Sequence, residues 1–128
     1  MSGFIIFAMI FCHIVDDYYL QGILANMKQK AWWEKQESYC DKYKHDYKVA
    51  LLMHAFSWAF MIMLPLLIAY SFKFNWLVAI IFGENVIIHA IIDDLKANKK
   101  KINLVFDQTI HIGQIIITAF IVPLAYMV

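Results

Sequence analysis

"FCHIVDDYYLQG", residues 11–22, decides how the chain is read. Residues 4–11 ahead of it are wholly apolar, yet His13, Asp16, Asp17 and Gln21 then follow within nine residues. A charged side chain at the centre of a membrane-spanning helix costs about 2.5–3.5 kcal/mol. Polar groups held there against that cost face the inside of a bundle, and they mark where its chemistry lies.

The whole chain fits that reading. Its 128 residues are 62% hydrophobic and 16% charged, with a mean hydropathy of +0.61, outside the usual range of a soluble domain. Four apolar segments, roughly residues 4–24, 49–71, 75–95 and 107–127, reach the ~20 residues that a helix needs to cross a bilayer. The expectation is an all-α integral membrane four-helix bundle, a single domain over residues 1–128, with a kink at Pro65. No lysine or arginine precedes Lys28 and no small-residue cleavage site follows the first apolar run, so a cleaved signal peptide is not expected. Cys12 and Cys40 are read as free thiols.

All eleven basic residues are lysines, six between Lys28 and Lys48, four in "LKANKKK" (95–101), and Lys73 alone. The positive-inside rule puts the first and third loops in the cytoplasm and both termini outside the plasma membrane. Topology accounts for the lysines, and no nucleic-acid partner is expected. The loop 25–48 mixes lysines with Trp32, Trp33, Tyr39, Tyr43 and Tyr47, as a partly helical segment in the headgroup layer does, and His45 is interfacial there.

With the helices oriented in this way, each carries its polar residues in the cytoplasmic half. His13, Asp17 and Gln21 are spaced i, i+4, i+8, as are Asn85, His89 and Asp93, so each set forms one stripe. The fourth segment carries Asp107, His111, Gln114 and Thr118, and the second carries His54. The expected site joins His13, Asp17, His54, His89, Asp93, Asp107 and His111, with no lysine at their depth. Neutral imidazoles and carboxylates are acceptors, and a cluster of acceptors calls for a cation. A divalent metal such as zinc, manganese or iron is the expected cofactor, either one ion with carboxylates orienting the imidazoles or two ions. Asp17, Asp93 and Asp107 are the expected catalytic carboxylates, with Lys96, Gln21 and Gln108 toward the substrate. The plainer reading is a set of His–Asp pairs that hold helices together.

"HIVDD" (13–17) parallels "HAIIDD" (89–94), each closing an apolar segment before a lysine-bearing loop. Two helical hairpins related by a pseudo-twofold would follow. Taken in order, "HIVDDYYLQ", "LLMHAF", "HAIIDDLK" and "FDQTIH" resemble the small bacterial and phage membrane proteins of domain of unknown function family 3307. The resemblance implies His13, Asp17, Gln21, His54, His89, Asp93, Lys96, Asp107, Gln108 and His111 as the matching positions, and no activity. Asp17 is followed by "YYLQ", where the pattern expects a Phe and an aliphatic residue. The His and Asp pattern is more distantly similar to membrane-bound metal-dependent hydrolases.

The expected function is a metal-dependent hydrolase at the cytoplasmic face, acting on a phosphate- or ester-bearing membrane lipid or similar amphiphile. The alternatives are an ion or metal transporter or channel subunit, or a binding or inhibitory module for another membrane protein. Glu84, turned away from His89 beside Gly83, suggests a homo-oligomer, most simply a dimer.

Overall fold

The computed structural model describes residues 3–127. Its long helices are α1 (Gly3–Val15), α4 (Asp46–Ala69), α5 (Trp76–Ala97) and α6 (Leu104–Ala125). A π-helical turn, Asp16–Leu20, prolongs α1, and the connector to α4 holds α2 (Leu24–Met27), α3 (Lys30–Glu34) and a 3-10 turn at Asp41–Tyr43. The α1 unit with its π turn, α4, α5 and α6 are each long and apolar enough to cross a membrane. The expected all-α membrane bundle is therefore the fold. Observed boundaries differ from the sequence reading by a few residues, chiefly because α1 ends in the π turn at Leu20.

The four long helices form a ring in which α1 packs on α4, α4 on α5, α5 on α6, and α6 back on α1. Asn75 at the start of α5 donates to the Ala125 carbonyl at the end of α6, and Lys96 near the end of α5 reaches Asp107 near the start of α6. These two helices are thus antiparallel. Tyr70 and Tyr126, stacked at 4.2 Å, pair the ends of α4 and α6 and set those two parallel. Local chemistry supports the starts: Asn75 and Asn103 each accept the backbone N–H three residues on, as N-caps do. Pro65 lies within α4 without ending it.

The interior has two halves. Toward Lys73 it is apolar, built from Met9, Ile62, Met63, Leu66, Ile115 and Val122. Lipid removes most of the hydrophobic drive for helices to associate, so close packing and interhelical hydrogen bonds must supply it. Ala55 and Ala59 on α4 and Ala119 on α6, all fully buried, let the backbones approach. Toward the other lysines the interior is polar, and Phe7, Phe11, Phe56 and Ile91 cover the outside there and beyond.

Candidate functional site

The polar half holds all seven residues singled out by spacing. His13, Asp17, His54, His89, Asp93, Asp107 and His111 are each at most 7% exposed. The cluster contains more than these.

At its centre two imidazole nitrogens and two carboxylate oxygens converge. His54 Nε2 lies 3.1 Å from His89 Nε2, 3.3 Å from Asp17 Oδ1 and 3.3 Å from Asp93 Oδ2. His89 Nε2 lies 3.9 Å from Asp17 Oδ1 and 3.8 Å from Asp93 Oδ2. Four donors bound tetrahedrally at about 2.0–2.1 Å stand roughly 3.3 Å apart, so these spacings match a metal-ligand set. Asp17 Oδ1 is buried and has no hydrogen-bond partner, although it is an obligate acceptor.

A second group, His89, Asp93 and His111, shares two of these residues. Proton accounting and donor spacing separate the two. A neutral imidazole carries one N–H, and the Nδ1 atoms of His89 and His111 lie 3.2 Å apart, so one proton serves both. If His89 offers its Nε2 lone pair, its Nδ1–H donates to His111. The proton of His111 then sits on Nε2, facing Asp107 Oδ1 at 3.3 Å and Asp93 Oδ1 at 3.6 Å. Gln114 Oε1, an acceptor whose amide is fixed by Asn85, also stands 3.2 Å from His111 Nδ1 and favours a proton there. The two imidazoles cannot both be neutral Nε2 ligands, and only the closer donor spacing of His54 and His89 selects His89.

His13 also stands outside the donor set. Its Nδ1 accepts from Trp58 Nε1 at 2.7 Å, so its proton is on Nε2, 2.9 Å from Gln108 Oε1. Both nitrogens are engaged, so in this geometry His13 turns neither ring nitrogen toward the donor set. Gln108 in turn donates to Asp107 Oδ2 at 3.0 Å, with Asp17 Oδ2 at 3.5 Å, and so ties α6 to α1 inside the cluster. Gln21 turns back on its own helix, its amide donating to the Asp17 carbonyl of the π turn.

The expectation that no lysine shares this depth fails. Lys28, only 7% exposed, donates to Asp93 Oδ2 at 2.6 Å, and Lys96 donates to Asp107 Oδ2 at 2.7 Å. Asn98 delivers Lys28: its Oδ1 accepts Lys30 N–H at 2.7 Å while its Nδ2 donates to the Lys28 carbonyl at 3.1 Å. This clamp folds the connector across the end of α5 and turns the ammonium inward. Among the loop lysines of the sequence, Lys28 carries no signal of its own.

Three further residues were missed. Asp16, 1% exposed, accepts from Ser57 Oγ at 2.6 Å, and its Oδ2 faces His54 Nδ1 at 3.8 Å, beyond hydrogen-bond range, with both atoms buried and without a partner. Its signal was the i, i+3 spacing from His13. Ser57 and Trp58 lie three and four residues after His54, on the same face of α4. Trp58 stacks on His89 with centroids 4.1 Å apart, fixing that ring while its N–H fixes His13. Beyond His111 a chain of amides continues toward the middle of the bundle, Gln114 beside Asn85, and Asn85 donating to Thr118 Oγ1 at 2.8 Å.

The family model for Protein of unknown function (DUF3307) matches residues 5–127. The chain belongs to that family. No curated protein and no solved structure matches it. The DUF3307 match extends over every residue of the cluster, from His13 to Thr118, and brings no reaction with it.

Proposed function

We propose that this protein is a metal-dependent hydrolase embedded in the membrane, with one divalent cation held by Asp17, His54, His89 and Asp93. The observation that carries the reading is the convergence of His54 Nε2, His89 Nε2, Asp17 Oδ1 and Asp93 Oδ2, with Asp17 Oδ1 buried and lacking a hydrogen-bond partner. Charge balance with neutral imidazoles agrees with it. Among the described residues, Asp16, Asp17, Asp93 and Asp107 are buried carboxylates, and their lysine partners are Lys28 and Lys96. With the imidazoles neutral, four negative charges face two positive ones. A single divalent ion balances the remainder, and the His54 and His89 Nε2 atoms, 3.1 Å apart, each stand 3.3–3.9 Å from both carboxylate oxygens. Imidazole with carboxylate ligation favours zinc, manganese or iron.

With a further coordination position open beyond these four donors, such an ion would lower the pKa of a water there and polarise an acyl or phosphoryl oxygen. Asp16 stands behind His54, where a small shift would let it accept the Nδ1 proton, and Trp58 holds His89. Asp107 Oδ1, buried and facing His111 Nε2 at 3.3 Å, is the proton acceptor outside the donor set. This assignment keeps Asp107 catalytic, makes Asp17 and Asp93 ligands, and gives Lys96 the role of holding Asp107 in place.

The lysine-rich end is proposed to face the cytoplasm, with both termini outside the plasma membrane, and the substrate is a membrane amphiphile. A transporter is the second reading, supported by the Gln114, Asn85 and Thr118 chain that leads away from the cluster. Loading zinc into proteoliposomes and assaying both ester or phosphate cleavage and zinc flux decides between them. Cleavage without flux is expected; flux without cleavage would replace the hydrolase by the transporter.

A further inference from the structure

The same charge balance narrows the substrate, resting on the hydrolase reading above. With the ion bound, four carboxylates, two lysines and one dication sum to neutrality, and each lysine is already engaged by a carboxylate, Lys28 by Asp93 and Lys96 by Asp107. A phosphate would have to carry its negative charge into a low-dielectric interior on binding, where both lysines are already engaged by carboxylates, whereas a neutral ester brings none until its carboxylate product leaves.

Access from the membrane is apolar as well. A lateral groove of about 490 Å³ runs between α1 and α6 on the lipid side, with Ile14 and Ile112 in its walls and Tyr18 and Tyr19 beside them. His13 and Gln108 are the cluster residues in its lining, and they bond each other at 2.9 Å. Gln108 lies four residues into α6, about 6 Å from the helix end. With the start of α6 at the membrane surface, that depth is comparable to the roughly 5–10 Å by which interfacial helices bury their apolar faces.

We infer that the substrate is a neutral carboxylic ester of a long-chain lipid, whose chain lies in the α1–α6 groove and whose ester reaches the centre past Gln108. A membrane-spanning peptide presents neutral carbonyls too, but its amides are hydrogen-bonded within its own helix and must first be unwound. In the reaction the water oxygen bonds to the ester carbonyl carbon and the carbon–alkoxide bond breaks. The water proton passes to a site carboxylate and then to the leaving alkoxide, and the products are a carboxylate, an alcohol and one released proton.

The test uses detergent-purified, zinc-loaded protein with 4-nitrophenyl decanoate, 4-nitrophenyl acetate and decyl phosphate as probes, and ethyl decanoate as a ligand in thermal unfolding. The decanoate is expected to exceed the acetate by at least about tenfold in kcat/KM, since its chain adds eight methylenes to bury. Ethyl decanoate is expected to raise the unfolding temperature, and decyl phosphate to be neither cleaved nor stabilising. Ile14→Trp, which fills the groove, is expected to raise KM for the decanoate about tenfold with zinc content unchanged. Ile112→Phe is a milder filling of the same groove, should the first variant fail to fold. Zinc bound with decyl phosphate cleaved, or with no preference for the long-chain ester, overturns this inference and leaves the metal centre standing. Failure to bind zinc overturns the hydrolase reading itself.

Discussion

Lys28 Nζ lies 2.6 Å from Asp93 Oδ2, across 65 residues of sequence and nearly free of solvent. The pair joins the connector after α1 to α5 at the centre of the polar cluster. Removing one member of a buried pair leaves an uncompensated charge and costs about 3–5 kcal/mol. Lys28→Met is therefore expected to lower the unfolding temperature of metal-free protein. Because it also adds net negative charge, metal should raise the unfolding temperature of the variant more than that of the unmodified protein. Equal metal-induced shifts in the two would contradict the placement of Lys28.

Asn98 holds the backbone on both sides of Gln29. Asn98→Ala is expected to release this part of the connector and to speed amide hydrogen exchange over residues 22–34, with α4 and α6 unchanged. Exchange that stays slow there would mean that the Lys28–Asp93 bond alone suffices.

Ligation needs neutral imidazole, so protons and metal compete for His54 and His89. Metal affinity is expected to fall as pH drops through the ordinary imidazole range near about 6.5. Isothermal titration at about pH 7.5 and pH 5 measures it. Affinity that holds across this interval would mean that carboxylates alone bind the ion.

The sequence showed the bundle because four apolar runs have spanning length, and it showed most of the cluster because i, i+4 spacing survives folding into a helix. It did not show Lys28, since a loop residue's direction depends on a clamp 70 residues away. His13 was legible as a buried polar residue, but the engagement of both its ring nitrogens was not, because Trp58 and Gln108 reach it from two other helices. Asp16 was within reach of the same periodicity, at i+3 from His13. Helix phase alone could not show that the His89 and His111 Nδ1 atoms share one proton, because that contact joins two helices.

Glu84 is exposed on the outer face of α5, and beside it a Cβ at Gly83 would meet nothing within 4 Å. A carboxyl facing lipid is costly, so a second copy of the chain is expected to cover it. Native mass spectrometry in mild detergent should show dimers that Glu84→Leu weakens. A monomer unchanged by that substitution would remove the role given to Glu84.

The ten lysines at one end of the bundle predict that this end faces the cytoplasm. Cysteines introduced at Gly3 and Met127 should react with an impermeant maleimide added to intact cells. Protection of both positions would reverse the topology.

Elemental analysis of detergent-purified protein, beside His54→Ala and His89→Ala, tests the central claim most directly. The expected result is one divalent ion per chain, lost in both variants while circular dichroism keeps its helical signal, and retained in His13→Gln. Metal-free protein after incubation with zinc, manganese and iron, or stoichiometric metal that survives loss of both His54 and His89, would contradict it.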